Sequence, residues 1–246
     1  MNSLYRIKFR LEFETPFVIS SPVSEAGQYD IVTVRDTEGL PFIPPSTIRG
    51  RIKASLQEFC SIYNTKFTLC RFHALNSIES DPSSDCPLCR IFGAPGGESI
   101  RGFFFSGAHV PEDEKEIITR MEKDIPGTAL YKRTRNRIDR QLRRAQEDAL
   151  FSVGAGQSLL SFEGSVVEEP HHKTSDPALR EVDLALIITG MRLITEMGLN
   201  KNRGYGRCRF TPLEIAPGGM NWQDVINKYI NSHLRHDDLQ HKCRGY

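Results

Sequence analysis

The sequence predicts an α+β domain with a long insertion, and three observations predict it. Tyr5, Ile7, Phe9, Leu11 and Phe13 alternate with Arg6, Lys8, Arg10 and Glu12, the period of a strand with one buried face. Ile48, Ile52, Leu56 and Phe59 recur four, four and three apart, one apolar stripe along a helix. Asp176-Pro177 opens a second helical stretch that leads into the strand-like CRFTPLEI. Strung together, the elements read β–β–α, then β, then β–α–β, and weakly periodic chain separates the two halves.

Composition narrows the class. The chain has 246 residues and is read as one domain, 1–246. Charged residues are 26% and nearly balanced, with a net charge of +1, so any nucleic-acid footprint must come from clustering. No run of 18 apolar residues exists, which argues against a membrane span. The opening MNSLYRIKFRLEFE has no apolar signal region. A cytoplasmic protein is expected, and its six cysteines are then expected as thiols or metal ligands, not disulfides.

In chain order, the first strand gives way to the polar loop SSPVSEAGQYD and a second short strand, IVTVRD. The turn-rich TEGLPFIPPS ends in two prolines. The first helix follows, with Ser46 as its expected N-cap and Arg49 and Lys53 as a basic stripe near its start. From about 60 to 130 periodicity weakens; GFFFSGAHV reads as a strand and PEDEKE as an acidic stretch. Residues 150–167 read as one strand after a glycine turn. The helix opened by Pro177, a favoured first helical residue, runs to about Met197, with Gly198 placed to cap it. A last strand is followed by a polar tail, about 233–246, expected to be mobile.

Cys70-x-x-His73 is followed, after 12 residues, by Cys86-x-x-Cys89. Two chelating pairs joined by a short loop fit a tetrahedral zinc site. With all four positions filled by Cys70, His73, Cys86 and Cys89, the metal is structural. Cys60 is the alternative to His73; Cys208 and Cys243 stay outside.

Three stretches concentrate positive charge. YKRTRNRIDRQLRR, residues 131–144, holds seven basic residues and one acid. A solvated helix face is the plain explanation, but the acids for intrahelical pairing are missing. Lys132, Arg133, Arg135, Arg137 and Arg140, beside Tyr131, suit contact with nucleic-acid phosphates and bases. Arg49, Arg51 and Lys53 add a patch at a helix N-terminus, itself an anion site, next to Ser46. GLNKNRGYGR, residues 198–207, adds Lys201 and Arg203, with Gly204 and Gly206 to let backbone approach a phosphate and Tyr205 to stack on a base.

These pieces together resemble the RAMP superfamily of CRISPR-associated proteins, with closest likeness to the repeated backbone subunit of type III-like effector complexes. GLPFIPPSTIRGRIKASL is similar to the family's proline-rich turn into its first helix, with Pro45-Ser46-Thr47 where Gly-Ser-Ser is usual. CPLCRIFGAPG is similar to its C-x-x-C-x-x-F-G segment. RNRIDRQLRRAQEDALFSVGAG resembles its I-D-R stretch and following strand, and GLNKNRGYGRCRF its glycine-rich loop. The likeness spans about residues 4 to 215.

The resemblance implies an RRM-like, ferredoxin-type core shaped as a palm, a zinc-containing insertion at about 60–95 and a protruding thumb at about 125–155. It implies copies stacked head to tail on a guide RNA that pairs with a complementary target RNA, beside other CRISPR effector subunits. Asp30 occupies the position of the family's target-cleaving aspartate, which would act with magnesium or manganese on a ribose 2′-hydroxyl. Asp36 matches a second acidic position, read as structural. The family's D-N-P-V after the aspartate is missing here. Three functions follow: a guide-binding subunit that cuts target RNA through Asp30, a scaffold that presents RNA to a separate nuclease, and an endoribonuclease that processes the guide precursor. The last needs a histidine for acid–base work. His73 is assigned to zinc, His109 to a strand-like segment, and His171 and His172 to an acidic loop.

Overall fold

The structure, a computed structural model, describes residues 4–20, 30–62, 69–70, 86–93, 102–124, 130–139, 141, 143–170 and 177–229. The strands are β1 (Arg6–Phe13), β2 (Ile31–Val32), β3 (Phe103–Phe105), β4 (Leu130–Asp139), β5 (Arg144–Gly156), β6 (Ser161–Glu168) and β7 (Cys208–Ala216). The helices are α1 (Pro45–Ile62), α2 (Pro87–Phe92), α3 (Glu112–Asp124), α4 (Pro177–Leu193) and α5 (Trp222–Tyr229), with a 3-10 turn at Lys201–Arg203.

The class is mixed α+β, built on two sheets. Four strands in the order β3-β6-β1-β7, every neighbouring pair antiparallel, form the larger sheet. The alternation in β1 buries Ile7, Phe9, Leu11 and Phe13 and sends the charged residues to the other face. There Lys8 meets Glu214 at 2.9 Å and Arg10 meets Glu163 at 2.6 Å across neighbouring strands. The apolar stripe of α1 and the apolar residues of α4 join the sheet's buried side chains in one core. The helix pair covers one face of the sheet for the reason amphipathic elements pack at all: neither can bury its stripe alone.

The smaller sheet has the order β2-β5-β4. β4 and β5 form an antiparallel hairpin, and β2 runs parallel to β5, Ile31 opposite Val153. A small second core at its base gathers Val18, Val153, Ala155 and Tyr205.

Three expectations about boundaries need correction. The first helix starts at Pro45, and the Pro44 carbonyl accepts from Thr47 (3.0 Å) and Ile48 (3.2 Å). Ser46 therefore lies inside the first turn and is not the cap, because Pro45 has no N–H to satisfy and a φ already suited to a helix. Second, α4 stops at Leu193, five residues before Gly198. The chain beyond it is drawn into extended pairing, with Cys208 N–H on Thr195 O and Met197 N–H on Gly206 O, both 2.8 Å. Third, residues 150–167 are two strands in two sheets, because Leu159 donates to Phe13 O at 2.7 Å and turns the chain. The basic segment, to which the sequence reading assigned no element of its own, is strand: β4 pairs with β5 from Leu130 to Asp139.

Two helices carry signals beyond those read above. In α3, Pro111 precedes an acidic first turn of Glu112, Asp113 and Glu114, which complements the helix dipole. In α5, Asn221 caps the start by accepting from Gln223 N–H at 2.9 Å. Trp222, Val225, Ile226 and Tyr229 then repeat at helical spacing against the core. The tail at 233–246 lies outside the described residues. Among the described residues no helix is long and apolar enough to cross a membrane.

Candidate nucleic-acid interface and metal centre

The basic hairpin and the glycine-rich loop, some seventy residues apart in sequence, meet at Tyr205. Arg133 donates to the Tyr205 hydroxyl at 2.8 Å and lies over its ring at 5.6 Å. Arg135 lies over the same ring at 5.0 Å and donates to Asn200 Oδ1 at 3.2 Å. Lys132 and Arg133 are exposed, Arg135 half-buried; Arg137 lies on β4, and Arg140 is outside the described residues. Lys201 and Arg203 sit on the 3-10 turn, Arg203 exposed.

Two expectations about the loop change. Tyr205 is only 5% exposed, packed with Val18, Val153 and Ala155, so its ring offers no face for a base. Gly204 donates to Lys201 O at 2.9 Å and Gly206 to Pro16 O at 2.8 Å, so these N–H groups are taken up inside the protein and do not cradle a phosphate. The glycines answer a backbone need, with φ of 80° and 76°, where residues with a Cβ are strained.

The basic stripe of α1 turns largely inward. Arg49 Nη2 donates to Phe92 O at 2.5 Å, with its guanidinium 5.9 Å from the Phe92 ring. Arg51 Nη2 donates to Glu196 O at 3.0 Å. Burial, then the charge of Arg49, pushes the half-buried Lys53 ammonium below its usual range, against a smaller upward pull from Cys89, Cys86 and Cys70. Arg49 and Arg51 thus tie α1 to neighbouring backbone. Ser46 is exposed in the first turn.

Asp30 is exposed and stands at the base of the hairpin. Its N–H donates to Ser152 O at 3.0 Å, and its Oδ2 accepts from Ser152 N–H at 2.6 Å and Ser152 Oγ at 3.3 Å. Asp36 holds a turn: Oδ1 accepts from Glu38 N–H at 2.9 Å and Leu40 N–H at 3.0 Å. His109 stacks on Phe42 at 5.3 Å with Nδ1 3.8 Å from the Asp36 carboxylate.

Cys70, Cys86 and Cys89 come together, their sulfurs all within 4.8 Å of one another. Cys70 and Cys89 are 3.5 Å apart. Pro87 starts α2 directly after Cys86, so C-P-L-C places both buried thiols on one helical turn. Three converging sulfurs fit a thiophilic ion, and a fourth donor completes a tetrahedron. His73 lies outside the described residues. Burial, then the charge of Cys86, pushes the Cys60 thiol up to about 12. Cys208, also pushed to about 12 chiefly by burial, stands outside the cluster.

α2 is locked from its other side. Arg90, next to Cys89, forms a two-pronged pair with Asp183 of α4 at 2.9 and 2.7 Å, and Asp183 is 0% exposed.

The sequence profile of a family described as the RAMP superfamily matches residues 10–209. A search of curated proteins returns no match. Two of the solved structures that share the fold come from type III-B complexes. One is a chain of the type III-B Cmr-beta complex in its apo state, with TM-score 0.61 and 12% identity, covering 85% of this chain and 97% of that one. The other is a chain of type III-B Cmr-beta bound to cognate target RNA, with TM-score 0.59 and 12% identity, covering 90% and 98%. At that identity the likeness is one of fold.

Proposed function

The chain belongs to the RAMP superfamily, and from that premise we propose that it is a guide-RNA-binding backbone subunit of an RNA-guided, RNA-targeting CRISPR effector ribonucleoprotein. The observation that carries the reading is the junction at Tyr205, where an arginine-rich hairpin is fixed to the loop bearing Lys201 and Arg203. In this reading the larger sheet with α1 and α4 is a ferredoxin-type palm, supported by the strand order β3-β6-β1-β7. The hairpin is the thumb. Copies stack head to tail along the guide, which pairs with target RNA, and other effector subunits close the assembly. One structural neighbour belongs to a complex bound to cognate target RNA, which supports the choice of ligand.

Cys70, Cys86 and Cys89 hold a zinc ion in this proposal, with His73 as the fourth ligand. The ion ties the 60–95 insertion to the palm and takes no part in chemistry, since a site closed by four protein ligands has no open position.

Asp30 is the residue on which cutting turns. An exposed carboxylate, held in place by Ser152 through one oxygen, suits a ligand for magnesium or manganese beside the RNA. The Ser152 hydrogen bonds also favour a second reading, in which Asp30 only finishes the start of β2 and the chain is a scaffold that presents RNA to a separate nuclease. Assembled complex is incubated with matched target RNA and magnesium or manganese, with wild-type chain and with Asp30→Asn. Regularly spaced cuts that vanish in the variant while target affinity holds support cleavage here. Equal cutting by both, or cutting only after a further protein is added, selects the scaffold.

A further inference from the structure

A cleft of about 330 Å³ opens between the turn at Asp36–Leu40 and the start of α3, with Asp36, Glu38, His109, Glu112 and Lys115 among its lining. It has one aromatic wall: His109 stacks on Phe42, with ring centroids 5.3 Å apart and planes 10° apart. The His109 side chain is 57% exposed, so one ring face meets Phe42 and the other is open to a ligand. Backbone pairing holds both rings in place. His109 N–H donates to Glu163 O at 3.0 Å, and Phe42 N–H to Val34 O at 3.3 Å.

Asp36 brings an unfinished acceptor to the same cleft. Its side chain is only 15% exposed. Oδ1 accepts from Glu38 N–H and Leu40 N–H. Oδ2 has no donor within hydrogen-bond distance among the described residues, and His109 Nδ1 stands off at 3.8 Å. A carboxylate so far withdrawn from water gains from a donor of its own. Lys115 is engaged elsewhere, with Glu38 at 2.5 Å and Glu112 at 3.7 Å. Three carboxylates thus face one ammonium, and the cleft favours a cation over a phosphate.

We infer that this cleft is a docking pocket for an arginine presented by a basic partner protein. The planar guanidinium stacks on the open face of His109 and donates to Asp36 Oδ2 and the Glu38 carboxylate. Arginine fits better than lysine, whose ammonium has no flat face to lay on a ring. A second copy of this chain, at a net charge of +1, brings little positive charge to such a contact. A neighbouring groove shares Glu38, Glu112 and Lys115 and continues along α3 to Lys123, which gives the partner's flanking residues a place to lie. The pocket needs no RNA, so it stands apart from the reading above.

The test is a titration of the purified full chain with the peptide acetyl-Gly-Arg-Gly-amide, followed by the NMR signals of the amides of residues 36–40. The same peptide with glutamate in place of arginine, and adenosine monophosphate, are the comparison ligands. Saturable shifts with the arginine peptide alone are expected, weakening as salt is raised. Asp36→Asn keeps an oxygen for the two N–H groups of the turn and removes the charge; it should weaken binding about tenfold. His109→Ala should weaken it about threefold, and it carries the test should Asp36→Asn fail to fold, since the ring is exposed. No saturable shift with the arginine peptide, or an equal response to the glutamate peptide, overturns the inference. So does affinity unchanged in both variants. Tighter binding of adenosine monophosphate makes the cleft a nucleobase site and overturns it. Self-association of the wild-type chain that Asp36→Asn abolishes makes the occupant a second copy and overturns the choice of partner.

Discussion

A methyl group on residue 206 has no room. A Cβ built on Gly206 falls 1.9 Å from Met197 O, and φ is 76°. Gly204 has a similar φ of 80° but meets nothing within 4 Å. The two positions therefore separate strain from collision. Gly204→Ala is expected to cost about 1 kcal/mol, the penalty of a left-handed backbone alone. Gly206→Ala adds a backbone clash and is expected to cost about 3 kcal/mol or more. Chemical denaturation of both variants checks this, and equal losses would mean that the loop moves away from Met197 without cost. Asp36 makes the same point for polar side chains. One carboxylate oxygen serves two N–H groups of its own turn, a local job that keeps it apart from the chemistry considered for Asp30.

At the scale of elements, α2 is a short helix held from both sides. Its cysteines face Cys70, and Arg90 reaches the fully buried Asp183 of α4. Six residues hold no helix on their own, so the clamp to Asp183 stabilises it, and a metal ion held by the three sulfurs would add to that. Arg90→Ala takes the guanidinium away from a buried carboxylate and is expected to cost about 3–5 kcal/mol. The double variant Arg90→Leu with Asp183→Leu should regain much of that, because no charge is left to desolvate. A thermal melt of the three proteins decides between these outcomes; a double variant as unstable as the single one would show that the pair's shape matters more than its charge. For the metal, elemental analysis of purified chain is expected to give about one zinc per chain, falling in Cys86→Ser together with the melting temperature. Zinc-free chain of undiminished stability would rule the ion out as a fold determinant.

At the scale of the whole molecule, two unequal cores sit under two sheets. The large core joins β1, β3, β6 and β7 with α1, α2 and α4, whereas the smaller gathers, among the described residues, Val18, Val153, Ala155 and Tyr205 at the base of the hairpin. Beyond that base Ile138 is 62% and Leu150 71% exposed, so these two apolar side chains add little packing to the β4–β5 ladder. Hydrogen exchange is expected to be slowest in β1 and β6 and fastest, among the paired strands, in the outer part of β4 and β5. RNA should slow exchange in the hairpin while leaving β1 nearly unchanged. Uniform protection across both sheets would mean that the small core is as cooperative as the large one.

Elements whose signal is local could be read from the chain alone. The alternation of β1, the four-residue stripe of α1 and the proline at the start of α4 were legible, because strand and helix periods follow from burying one face. The turn at Asp36 and the C-P-L-C pair belong with them, since each is made by residues close in the chain. What the charged and aromatic residues face was settled only on folding. Arg49 and Arg51 share the start of one helix, and only the folded chain puts Phe92 O and Glu196 O within their reach. Tyr205 sits in a glycine-rich, basic stretch that looks solvent-facing, yet Val18 and β5 bury it, and β4 brings two arginines to its ring. Local pattern reports whether a residue can be buried. What buries it, and which cations then meet there, depends on contacts between segments far apart in the chain, and no short-range periodicity records those.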